Sequence, residues 1–168
     1  MRRSMRHFIL IAALVAIAAV VWLRPTEPAY APAVNFVTIE GEKVALEALR
    51  GKVVLINFWA TDCSVCLKEM PDMAATYRKY QARGMDAVFV AMPYDRPDHV
   101  LAYARRNALP FKVALDVQGE LTRAFGGVKY TPTTFIVDKR GVIAERILGE
   151  PDFGRLHALI ERKLAEEG

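Results

Sequence analysis

The chain has 168 residues, with 23 Lys and Arg against 19 Asp and Glu, a formal charge of +4. Arg2, Arg3, Arg6 and Arg24 lie in the first 24 positions, which hold no acid, so residues 25–168 are electrically balanced. That excludes a basic nucleic-acid-binding domain, which needs clustered surplus Lys and Arg; the length suits one domain with a sizeable core.

From Phe8 to Leu23 every residue is apolar, with His7 and Arg24 at the ends. As a helix the run spans roughly 24 Å, and its charged flanks can snorkel to cover a hydrocarbon core of about 30 Å. No polar face exists along it, which argues against a buried soluble helix. Residues 1–24 are therefore expected to be a single N-terminal transmembrane helix, a signal anchor. The leading arginines keep the start of the chain in the cytoplasm and place the rest on the periplasmic side of the inner membrane. Cleavage after Ala31 is disfavoured because Pro32 would follow the scissile bond. Cleavage after Ala33 lies far beyond the apolar run. Pro25, Pro28 and Pro32 mark residues 25–33 as a semi-extended spacer, leaving 34–168 as the folded domain.

Val34 to Ile39 alternates as a strand does, and Gly41 turns it towards Lys43–Leu46, a β-hairpin. Val53 to Phe58 is an almost unbroken apolar run, the pattern of a central strand covered on both faces. A helix is expected from Ser64 to Ala82, with Pro71 inside it. Ala87 to Met92 reads as a second buried strand, and Pro97 to Asn107 as a helix with proline in its first turn. Val113–Leu115 is a short strand, and Glu120 to Phe125 a short helix stopped by Gly126 and Gly127. Thr133–Val137 and Val142–Leu148 form a hairpin across Lys139-Arg140-Gly141. Asp152 caps a last helix whose apolar positions Phe153, Leu156, Leu159, Ile160 and Leu164 keep helical spacing. Parallel strand–helix units closed by an antiparallel hairpin and a helix predict a three-layer α/β domain.

The only cysteines, Cys63 and Cys66, sit where the buried strand meets the next helix. The helix N-terminus favours a thiolate at Cys63. Cys66 lies one turn inward, so Cys63 is expected to attack and Cys66 to resolve. A structural disulfide over so short a loop adds little restraint. A zinc site needs further ligands, and only His7, His99 and His157 are on offer. A haem-attachment site needs His where Leu67 stands. His99 and His157 have no role assigned by sequence. Redox chemistry needs no cofactor beyond the Cys63–Cys66 pair itself.

Asn57-Phe58-Trp59-Ala60-Thr61-Asp62-Cys63-Ser64-Val65-Cys66, Pro71 in the helix and Thr131-Pro132-Thr133-Thr134-Phe135 together resemble the thioredoxin superfamily. The preceding hairpin, Gly51-Lys52, the apolar N-terminus and Glu69 make the chain similar to its membrane-anchored TlpA/ResA-like thiol–disulfide oxidoreductases, over about residues 34–166. The resemblance implies a thioredoxin-like fold, with Cys63 and Cys66 as the redox pair, Pro132 as a cis proline beside them and Thr131 pairing through its backbone with a substrate strand. It implies Trp59 and Asp62 as further substrate-facing positions, while Trp59 also reads as a core aromatic and can be both. It also implies Glu69 as an acid that tunes the cysteines, three residues after Cys66 on the same helical face. Asn57 stands where thioredoxin itself carries a buried acid, which makes Glu69 the substitute.

Asp62 and Val65 depart from the family's usual Trp and Pro, and the Asp62 charge is expected to destabilise the Cys63 thiolate and favour a reductant. The implied activity is reduction of protein disulfides, as in maturation of cytochrome c or a copper protein. A transmembrane thiol-reducing partner would return the electrons. The alternatives are a disulfide-forming oxidant and a Cu(I)-binding module that uses both thiolates with Met70 and Met73 nearby.

Overall fold

The computed structural model describes residues 28–167; the expected membrane segment at 1–24 lies outside them. No helix among the described residues is long and apolar enough to cross a membrane.

Two short strands, β1 (Asn35–Val37) and β2 (Lys43–Ala45), pair antiparallel as the predicted hairpin. Leu46 leaves the second strand and joins a 3-10 turn, Leu46–Leu49, that buries Leu46 and Leu49. The main sheet holds β3 (Val53–Trp59), β4 (Met85–Ala91), β5 (Lys112–Leu115), β6 (Thr133–Val137) and β7 (Ile143–Leu148) in the order β5-β4-β3-β6-β7. The apolar run of β3 thus takes the centre, buried at all seven positions, parallel to β4 and antiparallel to β6. β4 begins two residues before the apolar run does. Asp86 is carried into the sheet because Lys52 and Lys112 neutralise it at 3.2 and 2.8 Å. The hairpin docks on the outer edge of β5 through the Thr38–Ala114 bridge and the Ile39 N–H to Val113 C=O bond of 2.8 Å, which covers an otherwise open edge.

Alternate β3 side chains serve opposite faces. Val53, Leu55 and Trp59 pack with Met70, Met73, Val100, Leu156 and Ile160, drawn from α1 (Ser64–Tyr80), α2 (Pro97–Arg106) and α4 (Phe153–Ala165). Val54, Ile56 and Phe58 face Phe36, Leu46, Leu49, Leu121 and Phe125, supplied by the hairpin, the 3-10 turn and the short α3 (Glu120–Ala124). Phe58 meets Phe125 and Phe135 edge to face, a favoured aromatic geometry, and those two rings meet tilted, with all centroids 5.0–5.9 Å apart. The expected three layers are present, with three helices on one side of the sheet. α4 begins where predicted, Asp152 accepting from the Arg155 N–H at 2.9 Å. Every parallel strand ends on the same side, and β6 starts there.

Candidate active site

β3 delivers the chain to that end of the sheet, where Ala60-Thr61-Asp62 turns into α1. Cys63 is the N-cap residue of α1, and its sulfur accepts the Cys66 N–H at 3.2 Å. The two cysteines are joined as a disulfide with Cα atoms 5.3 Å apart. Cys63 is partly exposed, whereas Cys66 is wholly buried among core residues. An incoming sulfur therefore meets Cys63 first. On reduction, the N-cap position surrounds that sulfur with unpaired helix N–H groups and the positive end of the macrodipole.

The Thr131–Pro132 bond is cis, as the resemblance implied. The Pro132 carbonyl accepts the Gly149 N–H at 2.8 Å, and the Tyr130 carbonyl accepts the Thr133 hydroxyl at 2.6 Å. Gly149 has φ +80° and space around its Cα, so its backbone conformation rather than crowding favours glycine there. Thr131 is partly exposed, and among the described residues its main-chain N–H and C=O form no hydrogen bond. Pro132 itself is buried.

Glu69 lies one turn beyond Cys66 and is 1 % exposed. Its Oε1 accepts from Asn57 Nδ2 at 3.1 Å, and the same amide donates to Thr134 Oγ1 at 2.9 Å. Among the described residues no cation is bonded to it. Burial pushes the Glu69 pKa up from 4.5 to about 7; the Asn57 hydrogen bond opposes the rise and the charge of Glu150 adds to it. Glu150 is itself paired with Lys68 at 3.0 Å on the surface. Between pH 6 and 8 Glu69 can thus take up or release a proton beneath the disulfide, which an ordinary surface glutamate cannot do.

Trp59 corrects an expectation. Its side chain is wholly buried and packs on Tyr103 at 5.4 Å between centroids, so it supports the site from below and offers a partner no surface. The residue ends a strand buried along its whole length, and the strand overrides the motif position. Met70 and Met73 likewise lie in the core at 2 % and 1 % exposure and cannot join the thiols as soft ligands in this fold. His157 has neighbours after all: its Nε2 is 2.9 Å from Thr76 Oγ1 and its ring meets Tyr80 edge to face, an α1–α4 contact remote in sequence. Asp62 is exposed beside Cys63.

Sequence reasoning missed Asp95 and the role of Thr134 as a partner of Asn57. Asp95, in the loop after β4, holds Thr61 with both carboxylate oxygens. Asp95 belongs to no local motif, and the Thr131–Phe135 stretch does not show that Thr134 bonds Asn57; the pairing of β3 with β4 and β6 brings both in. The exposed apolar side chains Val65, Tyr94, Val117, Tyr130 and Leu148 lie in the first turn of α1, in loops or at a strand end on this same side of the sheet.

The Redoxin family profile matches residues 27–160. The chain is 36 % identical over 131 residues to the thiol-disulfide oxidoreductase ResA of Bacillus thuringiensis subsp. konkukian, covering 76 % of this chain and 74 % of that one. It is 35 % identical over 120 residues to the thioredoxin-like protein YneN of Bacillus subtilis, covering 71 % and 69 %. The crystal structure of a thioredoxin-family thiol:disulfide interchange protein from Chlorobium tepidum superposes with a TM-score of 0.76 at 28 % identity, over 84 % of this chain and 99 % of that one.

Proposed function

This chain belongs to the Redoxin family and is a TlpA/ResA-like thiol–disulfide oxidoreductase of the thioredoxin superfamily, and from that premise we propose that it reduces protein disulfides outside the cytoplasm. The observation that carries the direction of attack is the unequal burial of the pair, with Cys63 partly exposed at the helix N-cap and Cys66 sealed behind it.

Reduced Cys63 attacks one sulfur of a target disulfide; that S–S bond breaks, and a mixed disulfide forms as the second target sulfur leaves with its electron pair. The Glu69 carboxylate takes the proton of Cys66, and the new thiolate attacks Cys63. The mixed bond breaks, the intramolecular disulfide forms and the target leaves as a dithiolate that solvent protonates. Two electrons have passed to the target, and one proton has moved from Cys66 to Glu69. Thr131 offers its free main-chain groups to an extended target segment, and the apolar rim of Val65, Tyr94, Tyr130 and Leu148 gives that segment a surface to cover.

The apolar segment at residues 8–23, preceded by three arginines, supports tethering to the inner membrane with the domain on the far side. In an oxidising compartment the pair needs re-reduction, so a membrane thiol-reducing partner is part of this reading, with apocytochrome c or a copper-protein thiol pair as target.

Cys66→Ser in the full-length chain tests it. The variant should accumulate mixed disulfides through Cys63, releasable by dithiothreitol and identifiable by mass spectrometry. A reductant should have a potential near about −270 mV, whereas one near about −120 mV would make the protein an oxidant and overturn the proposed direction.

A further inference from the structure

Three buried side-chain atoms lack a hydrogen-bond partner among the described residues, and two of them, Asn57 Oδ1 and Glu69 Oε2, belong to groups already joined by a hydrogen bond. Buried polar atoms are rarely left unpaired, and each exception calls for a physical cause. Both N–H groups of the Asn57 amide are spent, one on Glu69 Oε1 and one on Thr134 Oγ1, so its remaining capacity is purely as an acceptor. An ionised Glu69 is an acceptor only. Its second oxygen and the Asn57 carbonyl would then be two unpaired acceptors in a site closed to water, an expensive arrangement. A neutral carboxyl has one O–H to give, and donated to the Asn57 carbonyl that single proton would satisfy both atoms.

We propose that Asn57 is a positioning residue for the acid proton of Glu69, closing a two-bond ring in which Asn57 Nδ2–H donates to Glu69 Oε1 and Glu69 Oε2–H donates to Asn57 Oδ1. Thr134 anchors the ring from β6 by taking the outward N–H, so the amide cannot turn over without losing that bond. In this proposal the disulfide state is the one in which the proton taken from Cys66 has arrived at Glu69. The ring holds it there until the pair is reduced and Cys66 takes it back. Asparagine suits this position where an acid would not, because a second carboxylate beside Glu69 would compete for the same proton. This inference rests on the reading of Glu69 as the proton acceptor of Cys66 for its purpose, but not for its geometry.

Infrared difference spectroscopy of the oxidised full-length protein provides the test, with the neutral-acid C=O band assigned by its loss in Glu69→Gln. The band should lie at the lower frequency of a hydrogen-bond-donating acid and move to higher frequency in Asn57→Leu. A band unmoved by that substitution overturns the ring. Should Asn57→Leu fail to fold, the side-chain carbonyl carbon of Asn57 in the unmutated protein is followed by NMR. It should titrate with the same midpoint as the Glu69 carboxyl, and a resonance flat through that midpoint overturns the proposal. The acceptor reading is judged separately, by whether Glu69→Gln slows release of a trapped target, since neither spectrum depends on Cys66.

Discussion

Asp95 grips Thr61 at two points: one carboxylate oxygen accepts the Thr61 N–H and the other its hydroxyl, both at 2.6 Å. The contact ties the loop after β4 to the turn that carries Asp62 and Cys63. Charge-assisted bonds of this kind contribute about 1.5–3 kcal/mol each when well placed. Asp95→Ala should lower stability by about 1–3 kcal/mol in denaturant unfolding and speed amide exchange at Thr61. Asp95→Asn should fall between the two, because its one carbonyl oxygen can still accept the Thr61 N–H while the charge that strengthens both bonds is lost. Unchanged exchange at Thr61 in Asp95→Ala would remove the clamp from the account.

Asp62 sets a charge next to the attacking sulfur. A neighbouring anion disfavours the thiolate and so raises a thiol pKa. Asp62→Ala should therefore lower the Cys63 pKa, read from thiolate ultraviolet absorbance. The potential should become more oxidising by tens of millivolts, at about 30 mV per 1.4 kcal/mol. A Cys63 midpoint that stays or rises in the variant contradicts the expectation that Asp62 favours the reductant.

Much of this was legible from local pattern. The apolar run of β3 announced a central strand, Asp152 its helix, and Cys63-Ser64-Val65-Cys66 with Thr131-Pro132 the redox site, because each signal lies within a few consecutive residues. Glu69 was legible for the same reason, at one helical turn from Cys66. The bond from its partner Asn57 to Thr134 was not, the two being 77 residues apart and brought together only by the β3–β6 pairing. Asp95 was hidden in the same way. Trp59 misled because its motif position spoke for a partner contact while its strand position put it in the core, and burial won.

His157 offers a second long-range contact to measure. Burial lowers its pKa first, and the Lys79 charge adds to this while Glu161 opposes it. A histidine held below its unfolded value of about 6.5 favours the neutral form, so stability falls as pH drops through and below that value. His157→Gln should keep the bond to Thr76 and flatten this acid-side loss of stability in urea unfolding between pH 7 and pH 5. A slope identical to that of the unmutated protein would show that other groups carry it.

Glu69 gives the opposite slope. Its pKa is raised from 4.5 to about 7 in the fold, by burial first, with the Glu150 charge adding and the Asn57 hydrogen bond opposing. In that window the native state holds a proton that the unfolded chain has released, so stability is fully present below about pH 4.5 and is lost as pH rises through about 7. The full difference amounts to about 3 kcal/mol at 1.36 kcal/mol per unit. Glu69→Gln keeps the side chain neutral at every pH and should abolish that alkaline-side loss in the oxidised protein. Glu150→Gln should remove one like charge and shift the midpoint down. Chemical denaturation of the oxidised protein from pH 4 to pH 8 separates the three. A Glu69→Gln profile that still falls by the same amount would mean that the buried carboxyl is ionised throughout, and with it the proton-acceptor step assigned to Glu69 would be lost.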